Sequence, residues 1–317
     1  MTEITRNGHT IKLTHLDKIL FPKPDISKKE FVDYYDRIAD IMLPHMKDRP
    51  ISMHRFTDGI QGEGFFHKEA PDYFPKWIAR AHVRLKEGIE QEQVMCNQQS
   101  TLIYIANQDC ITPHIWLSTI KHLEKPDRMI FDFDPPDDNF GVVRFAAQET
   151  RALLEKELGM KTFIMTTGSR GVHVVVSLLP EHEFDEVRDF ARAIATLLVH
   201  RNPEKFTIEQ RKEKRGNRVY IDYLRNAYAQ TTVAPYAVRA KKEAPVATPI
   251  DWDELSDRDL HPRKYNIKNI FRRLGRKKDP WKDINRRRVS VNVPMKKIKD
   301  IYERINKAKS EYDILLK

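Results

Sequence analysis

Met129-Ile130-Phe131-Asp132-Phe133-Asp134-Pro135-Pro136 is a short apolar run that carries two carboxylates and is stopped by two prolines. On a strand successive side chains point to opposite faces, so Asp132 and Asp134 share one face while Ile130, Phe131 and Phe133 are free to feed a core. Two carboxylates on one face repel each other. A divalent cation offsets that cost most simply, and carboxylate oxygens are the hard ligands that magnesium and manganese prefer. Proline cannot donate to a sheet ladder, so Pro135 ends the strand and leaves the acids at its C-terminal tip, where ligand sites in α/β sheets commonly lie. Taken alone, the pattern fits equally well a solvated strand end followed by the acidic turn of Asp137 and Asp138.

Downstream, the periodicity predicts a helix over about Val142 to Leu158, with Gly159 as its stop. Thr162 to Thr167 and Val172 to Val176 read as two strands of a hairpin, and Gly168-Ser169-Arg170-Gly171 forms its tip. Glycines let backbone N–H groups approach an anion, and Ser169, Arg170 and His173 add three side-chain donors, which together suit a triphosphate. A Gly-bounded hairpin tip with no such role is the commoner outcome for this pattern by itself. Val187, Phe190, Ala191, Ile194, Leu197 and Leu198 mark another helix. A basic stretch from Lys205 to Arg218 then runs into Val219-Tyr220-Ile221-Asp222-Tyr223, a strand whose Asp222 is the natural third carboxylate. Arg239, closing Ala234 to Arg239, is placed to return to the same pocket.

Upstream, Ser27 and Glu30 have capping-box spacing, and Phe31, Tyr34, Tyr35, Ile38, Ile41 and Met42 follow at helical intervals. Lys18, Lys23, Lys28 and Lys29 gather at this helix entrance, where they could hold a phosphate beside the free N–H groups of the first turn. Ile51 to Phe56 alternates as a strand with Ile51, Met53 and Arg55 on one side. Phe65-Phe66-His67-Lys68 suits stacking on bases with a phosphate contact, one ring exposed and the other buried. Thr101 to Ile105 and Ile111 to Leu117 read as strands, and His114 in the second sits in apolar company. From about Ala244 a Pro-containing linker leads to helices marked by Ile267, Ile270, Phe271 and Leu274, and by Met295, Ile298, Tyr302, Ile305 and Tyr312. Gly275 to Lys278 and Arg286 to Arg288 are basic clusters, for which a solvated face is the default.

The chain has 317 residues, 40% of them hydrophobic, enough for a full core. Lys and Arg number 56 against 46 Asp and Glu, a net charge of +10. An anionic partner is therefore expected. No apolar run approaches the ~20 residues of a membrane span, and residues 1–6 lack a signal-peptide core, which points to the cytoplasm and no membrane. Cys96 and Cys110 have neither zinc spacing nor a disulfide framework and read as buried thiols.

Acidic strands, a Gly-Ser-Arg-Gly hairpin with His173, paired phenylalanines and a basic surface describe a two-metal phosphoryl-transfer site that handles nucleic acid. Their order resembles the polymerase domain of bacterial ATP-dependent DNA ligase D, in the archaeo-eukaryotic primase superfamily. The resemblance runs through Leu13-Thr14-His15-Leu16-Asp17-Lys18, Arg49-Pro50, Phe65 to Lys68, Phe131 to Pro135, Thr167 to His173, Val219 to Asp222 and Ala234 to Arg239. It covers about residues 13 to 274. It implies a mixed α/β (α+β) fold with an RRM-like catalytic sheet on an N-terminal α/β unit, split near residue 120, the active site lying in the cleft. Residues 1–274 would form the catalytic domain and 275–317 a basic helical extension outside the resemblance.

The resemblance further implies a polymerase that fills gaps and extends DNA ends in non-homologous end joining, favours ribonucleotides, works with two divalent cations (manganese or magnesium), and retains a primase's capacity. Asp132, Asp134 and Asp222 would be metal ligands. Ser169, Arg170, His173 and Arg239 would hold the triphosphate, His114 would lie near the sugar, and Arg55 and Arg215 at the rim. Phe65, Phe66 and Lys68 would support template and base, and Lys18 and Lys28 would grip the downstream 5′-phosphate. Two departures stand out. His15 replaces the family's usual asparagine but can still donate to a phosphate, and Arg170 replaces a lysine, keeping charge and adding a fork. Lacking ligase and phosphoesterase regions, the chain would meet a ligase and the end-binding Ku protein as separate partners at the nucleoid. The alternatives are a non-catalytic RRM-like nucleic-acid-binding module and a metal-dependent nuclease. The first leaves three acids repelling a phosphate backbone, and the second has little use for a triphosphate cradle.

Overall fold

The computed structural model describes residues 2–85, 88–137 and 139–315; Asp138 of the acidic turn and the side chain of Tyr312 lie outside the described residues. The first long element is helix α1, Lys28–Met46. Its Ser27 hydroxyl accepts from the Glu30 N–H and the Glu30 carboxylate accepts from the Ser27 N–H, the reciprocal cap that the spacing predicts. Strands β1 (Ile51–Arg55) and β2 (Phe65–His67), helix α2 (Gln99–Asn107) and strand β3 (Cys110–Trp116) follow. Next come β4 (Arg128–Asp134), α3 (Phe140–Ala152), β5 (Thr162–Thr166), β6 (Val172–Ser177), α4 (Phe184–Arg201), β7 (Phe206–Thr207) and β8 (Val219–Asp222). β9 (Thr231–Val233), β10 (Thr248–Ile250), α5 (Ile270–Arg276) and α6 (Asn292–Leu315) complete the main elements.

The larger sheet has the order β7-β8-β4-β6-β5-β10. Within it β4-α3-β5-β6-α4-β8 is a β-α-β-β-α-β unit with antiparallel neighbours throughout, the RRM-type arrangement. Met129, Phe131 and Phe133 point to the face covered by α3 and α4, together with Val174, Val176 and Ile221. Ile130, Met165 and Val175 point the other way, into a core shared with α1, α2 and the second sheet, β9-β3-β1-β2. Burial on both faces explains why the strand reads as a continuous apolar run. The same alternation that sends Ile130 into this core carries Asp132 and Asp134 to the open end of the cleft.

Four readings of the sequence are corrected. Thr101 to Ile105 is helical, inside α2, and buries Leu102, Ile103, Ile105 and Ala106 beside α1. Five apolar residues cannot distinguish the two periods, and packing decides. The segment after Ala244 is no linker, because Thr248–Ile250 pairs with β5 and closes the large sheet. Pro249 is tolerated there on an edge strand, where a missing N–H breaks no ladder. Phe65 and Phe66 are both exposed, at 44% and 54%, with Lys68 beside them. Beyond Gly275 the chain enters the core shared with α1 and α2 through Trp281 and Ile284, and the Trp281 indole N–H donates to the Ile164 carbonyl at 3.0 Å. Cys96 and Cys110 are buried free thiols, and burial pushes the Cys110 thiol up to about 12.

Candidate active site

Register alone assembles the acids. Asp132 of β4 lies opposite Asp222 of β8 on one side and opposite His173 of β6 on the other, so three adjacent strands set the three side chains in one row. Asp134 lies two residues further along the same face, opposite Tyr220. Each carboxylate faces a basic group. His173 Nε2 is 3.4 Å from Asp132, Arg225 Nε 3.4 Å from Asp222, and Arg170 3.9 Å from Asp134. Among the described residues no three acidic or imidazole groups are already drawn together as a metal shell. The donor chemistry nevertheless fits a hard divalent cation, because the groups facing the carboxylates sit beyond tight hydrogen-bond range and can yield.

Burial and mutual repulsion divide the three acids. Burial and the neighbouring Asp132 charge raise the Asp134 and Asp222 carboxyls above their ordinary range. Burial pushes Asp132 the same way, but His173, with Arg225 and Arg239 behind it, carries the balance and holds it low. The central acid therefore keeps its charge, and the flanking two ionise less readily until a cation joins them.

The opposite wall of the cleft, a cavity of about 170 Å³, carries His114 of β3 and Thr231 and Thr232 of β9. Burial, reinforced by Arg239, holds His114 neutral. Beside it Phe66 stacks flat on His54, with ring centroids 4.3 Å apart, and meets His114 edge-on. The hairpin tip closes the third side. Gly171 is required there, because a Cβ would fall 2.0 Å from the Phe133 carbonyl oxygen, and Gly168 takes φ +65° while leaning on the Arg239 stem. The Ser169 and Gly171 N–H groups both donate to Thr167 Oγ1. An anion would therefore meet the side chains of Ser169 and Arg170 more than the loop amides expected from sequence. Arg239 reaches the tip from within and donates to the Thr167 carbonyl at 3.1 Å.

Two other expectations change. Arg55 is turned away from the acids, donating to the Gln108 carbonyl, His67 Nδ1 and Tyr73 Oη on the far side of β1. Alternation along β1 sends His54, and not Arg55, to the side of Phe66 and His114. Lys18 and Lys28 do converge, but on Asp109, each at 3.1 Å. Lys18 also donates to the Thr57 carbonyl. The first-turn amides of α1 are not free: Lys28 N–H goes to Lys18 O, Lys29 N–H to Leu16 O, and Glu30 N–H to Ser27 Oγ. His15 lies exposed at φ +53°, its carbonyl accepting from Lys18 N–H. Arg215 stacks on Tyr220 at 3.7 Å, and its charge reaches Asp134, which puts it at the rim. Thr232 and Arg225 line the cleft, His54 backs Phe66 beside it, and Asp109 pairs with the two lysines; sequence reasoning passed over all four. Only Arg225 left a signal, three residues after an acid in a short helical turn.

An RRM-type sheet that brings acids from two neighbouring strands under a cationic hairpin defines a primase-polymerase domain, a nucleotidyltransferase. The family model described as LigD, primase-polymerase domain, matches residues 27–281, and the chain belongs to that family. It is 32% identical over 290 residues to the multifunctional non-homologous end joining protein LigD of Pseudomonas aeruginosa, covering 90% of this chain and 34% of that protein. Identity to the bifunctional non-homologous end joining protein LigD of Bacillus subtilis is 31% over 278 residues, 87% of this chain and 44% of that one. The chain thus spans less than half the length of these relatives. The polymerase domain of Mycobacterium tuberculosis ligase D, solved in complex with DNA, superposes with a TM-score of 0.81 at 27% identity, covering 88% of this chain and 99% of that one.

Proposed function

We propose that this chain is a template-dependent polymerase that fills gaps and extends DNA ends during end joining, preferring ribonucleotides. The reading is carried by one observation: Asp132 and Asp222 stand in register opposite a guanidinium-clamped hairpin. Asp132, Asp134 and Asp222 would hold two divalent cations, manganese or magnesium. Bound there, these would activate a primer hydroxyl and neutralise the leaving pyrophosphate.

The chain's own residues bind and orient. Ser169, Arg170, His173 and Arg239 hold the triphosphate, and Arg215 adds charge at the rim. Neutral His114 meets the sugar, and Phe66, backed by His54, offers a stacking surface for a base. Phe65, Lys68 and His15 extend the nucleic-acid contact. Lys18 and Lys28 take the 5′-phosphate of the downstream strand, where Asp109 is now their counter-charge. A ligase activity and Ku complete the reaction on this reading, in the cytoplasm at the nucleoid. No helix among the described residues is long and apolar enough to cross a membrane.

Labelled gapped DNA incubated with manganese and nucleoside triphosphates tests the proposal. Extension supports it, shortening points to a nuclease, and a mobility shift without change of length to a binding module. Asp132→Ala is expected to abolish extension while keeping most DNA affinity; equal loss of both would make the residue structural.

A further inference from the structure

We propose that Arg263 is a positioning residue that sets the angle of the hairpin tip, and through it the affinity for the nucleotide's phosphates. The inference rests on the reading of that hairpin as the triphosphate site. Bonds inside the loop, from Thr167 N–H to the Gly171 carbonyl and around Thr167 Oγ1, fix its shape. They do not fix how it leans over Asp134. Two guanidiniums reach its carbonyls from elsewhere. Arg239 donates to Thr167 O from inside the cleft, and Arg263 Nε donates to Ser169 O from outside at 2.9 Å.

The two arginines are not equivalent. Arg239 lines the cleft, where on the proposed reading it would turn to the phosphates, so its hold on the loop would change when a nucleotide enters. Arg263 does not line the cleft. It comes from the 257–265 loop, which is itself fastened to the body. Arg144 of α3 donates to the carbonyls of Asp257 and Leu260, both at 2.6 Å, and the Tyr265 carbonyl accepts from Val246 N–H, while Lys264 pairs with Asp257 at 2.6 Å inside the loop. A charge-assisted bond from a tethered loop to the carbonyl of Ser169 holds the residue that presents both the Ser169 hydroxyl and the neighbouring Arg170. Its remaining Nη groups have no hydrogen-bond partner among the described residues, and the side chain is exposed, so truncation removes the tether without opening the core.

Arg263→Ala is expected to raise KM for nucleoside triphosphate about tenfold, the loss of one charge-assisted hydrogen bond. Its kcat and its affinity for gapped DNA should stay within about twofold, because the Lys18, Lys28 and Phe66 contacts lie on other elements. Binding of a fluorescent ATP analogue, read by anisotropy without turnover, should weaken in parallel. Arg263→Lys, which keeps a donor and the charge, should recover most of the loss. An unchanged KM and unchanged anisotropy in Arg263→Ala, in an enzyme that extends gapped DNA, overturns the inference and leaves the polymerase reading standing. Equal loss of nucleotide and DNA binding also overturns it, as general damage. A wild-type chain that neither binds the analogue nor extends DNA overturns both.

Discussion

At Asp109 two lysines share one carboxylate, and Lys28 is only 2% exposed. Burial lowers the Lys28 pKa despite the Asp109 charge, so its ammonium is held in surroundings that favour one more anion. On the proposed reading, a phosphate dianion arriving beside Lys18 would supply it. Lys28→Ala is therefore expected to weaken binding to a 5′-phosphorylated gap about tenfold, and to the same gap without the phosphate by much less, since a charge-assisted contact disappears only in the first. Titration of the two labelled DNAs by anisotropy checks this, and equal weakening would remove the 5′-phosphate assignment. The sequence placed Lys18 and Lys28 together. It gave no hint of Asp109, which arrives from the end of α2 through tertiary contact.

At the level of elements the hairpin is the most demanding piece. A methyl group at Gly171 would lie 2.0 Å from the Phe133 carbonyl oxygen, so β4 and β6 must part just where they carry Asp132 and His173. Gly171→Ala is expected to cost about 3 kcal/mol of stability through forced backbone displacement, and to abolish extension. Gly275→Ala, with open space around its Cβ inside α5, should be neutral or stabilising by up to about 1 kcal/mol. Urea unfolding of both variants checks the contrast, and similar midpoints would disprove it. Elements with long periodic patterns or capping signals, such as α1, α4 and the strands flanking the hairpin, were legible because local chemistry and burial agree there. The run that became α2 was not, since β-branched and apolar residues over five positions satisfy either period until a neighbouring helix selects one.

Across the whole molecule the two sheets are interlaced. β9 follows the last acidic strand yet pairs with β3 of the other sheet, and β10 then returns to the catalytic sheet. His45, His54 and His114 lie in or beside the shared interior, and burial depresses all three, His54 to about 4 and His114 well below its ordinary range, even though Asp279 opposes the effect at His45. Unfolding returns each to about 6.5, so below that pH the unfolded chain binds protons that the folded one refuses. Stability should then fall as pH drops from 7 toward 5, at up to about 1.4 kcal/mol per pH unit for each histidine fully engaged. Urea midpoints at pH 7, 6 and 5 check the sign, and a flat or rising series would contradict it. His45 also ties the C-terminal stretch to the body through Asp279 at 2.8 Å, as Arg288 does through Asp127 at 3.0 Å.

The sequence by itself determined the acid-bearing strand, the hairpin and the capped first helix, because each is written in the period, charge and turn chemistry of neighbouring residues. Tertiary structure alone decided that Asp222 would stand opposite Asp132, that His54 and not Arg55 would stand beside Phe66 and His114, and that Asp109 and Arg263 would reach Lys28 and Ser169. Those pairings depend on strand register and on loops that meet from distant parts of the chain, and no local pattern encodes which distant partner a side chain will find.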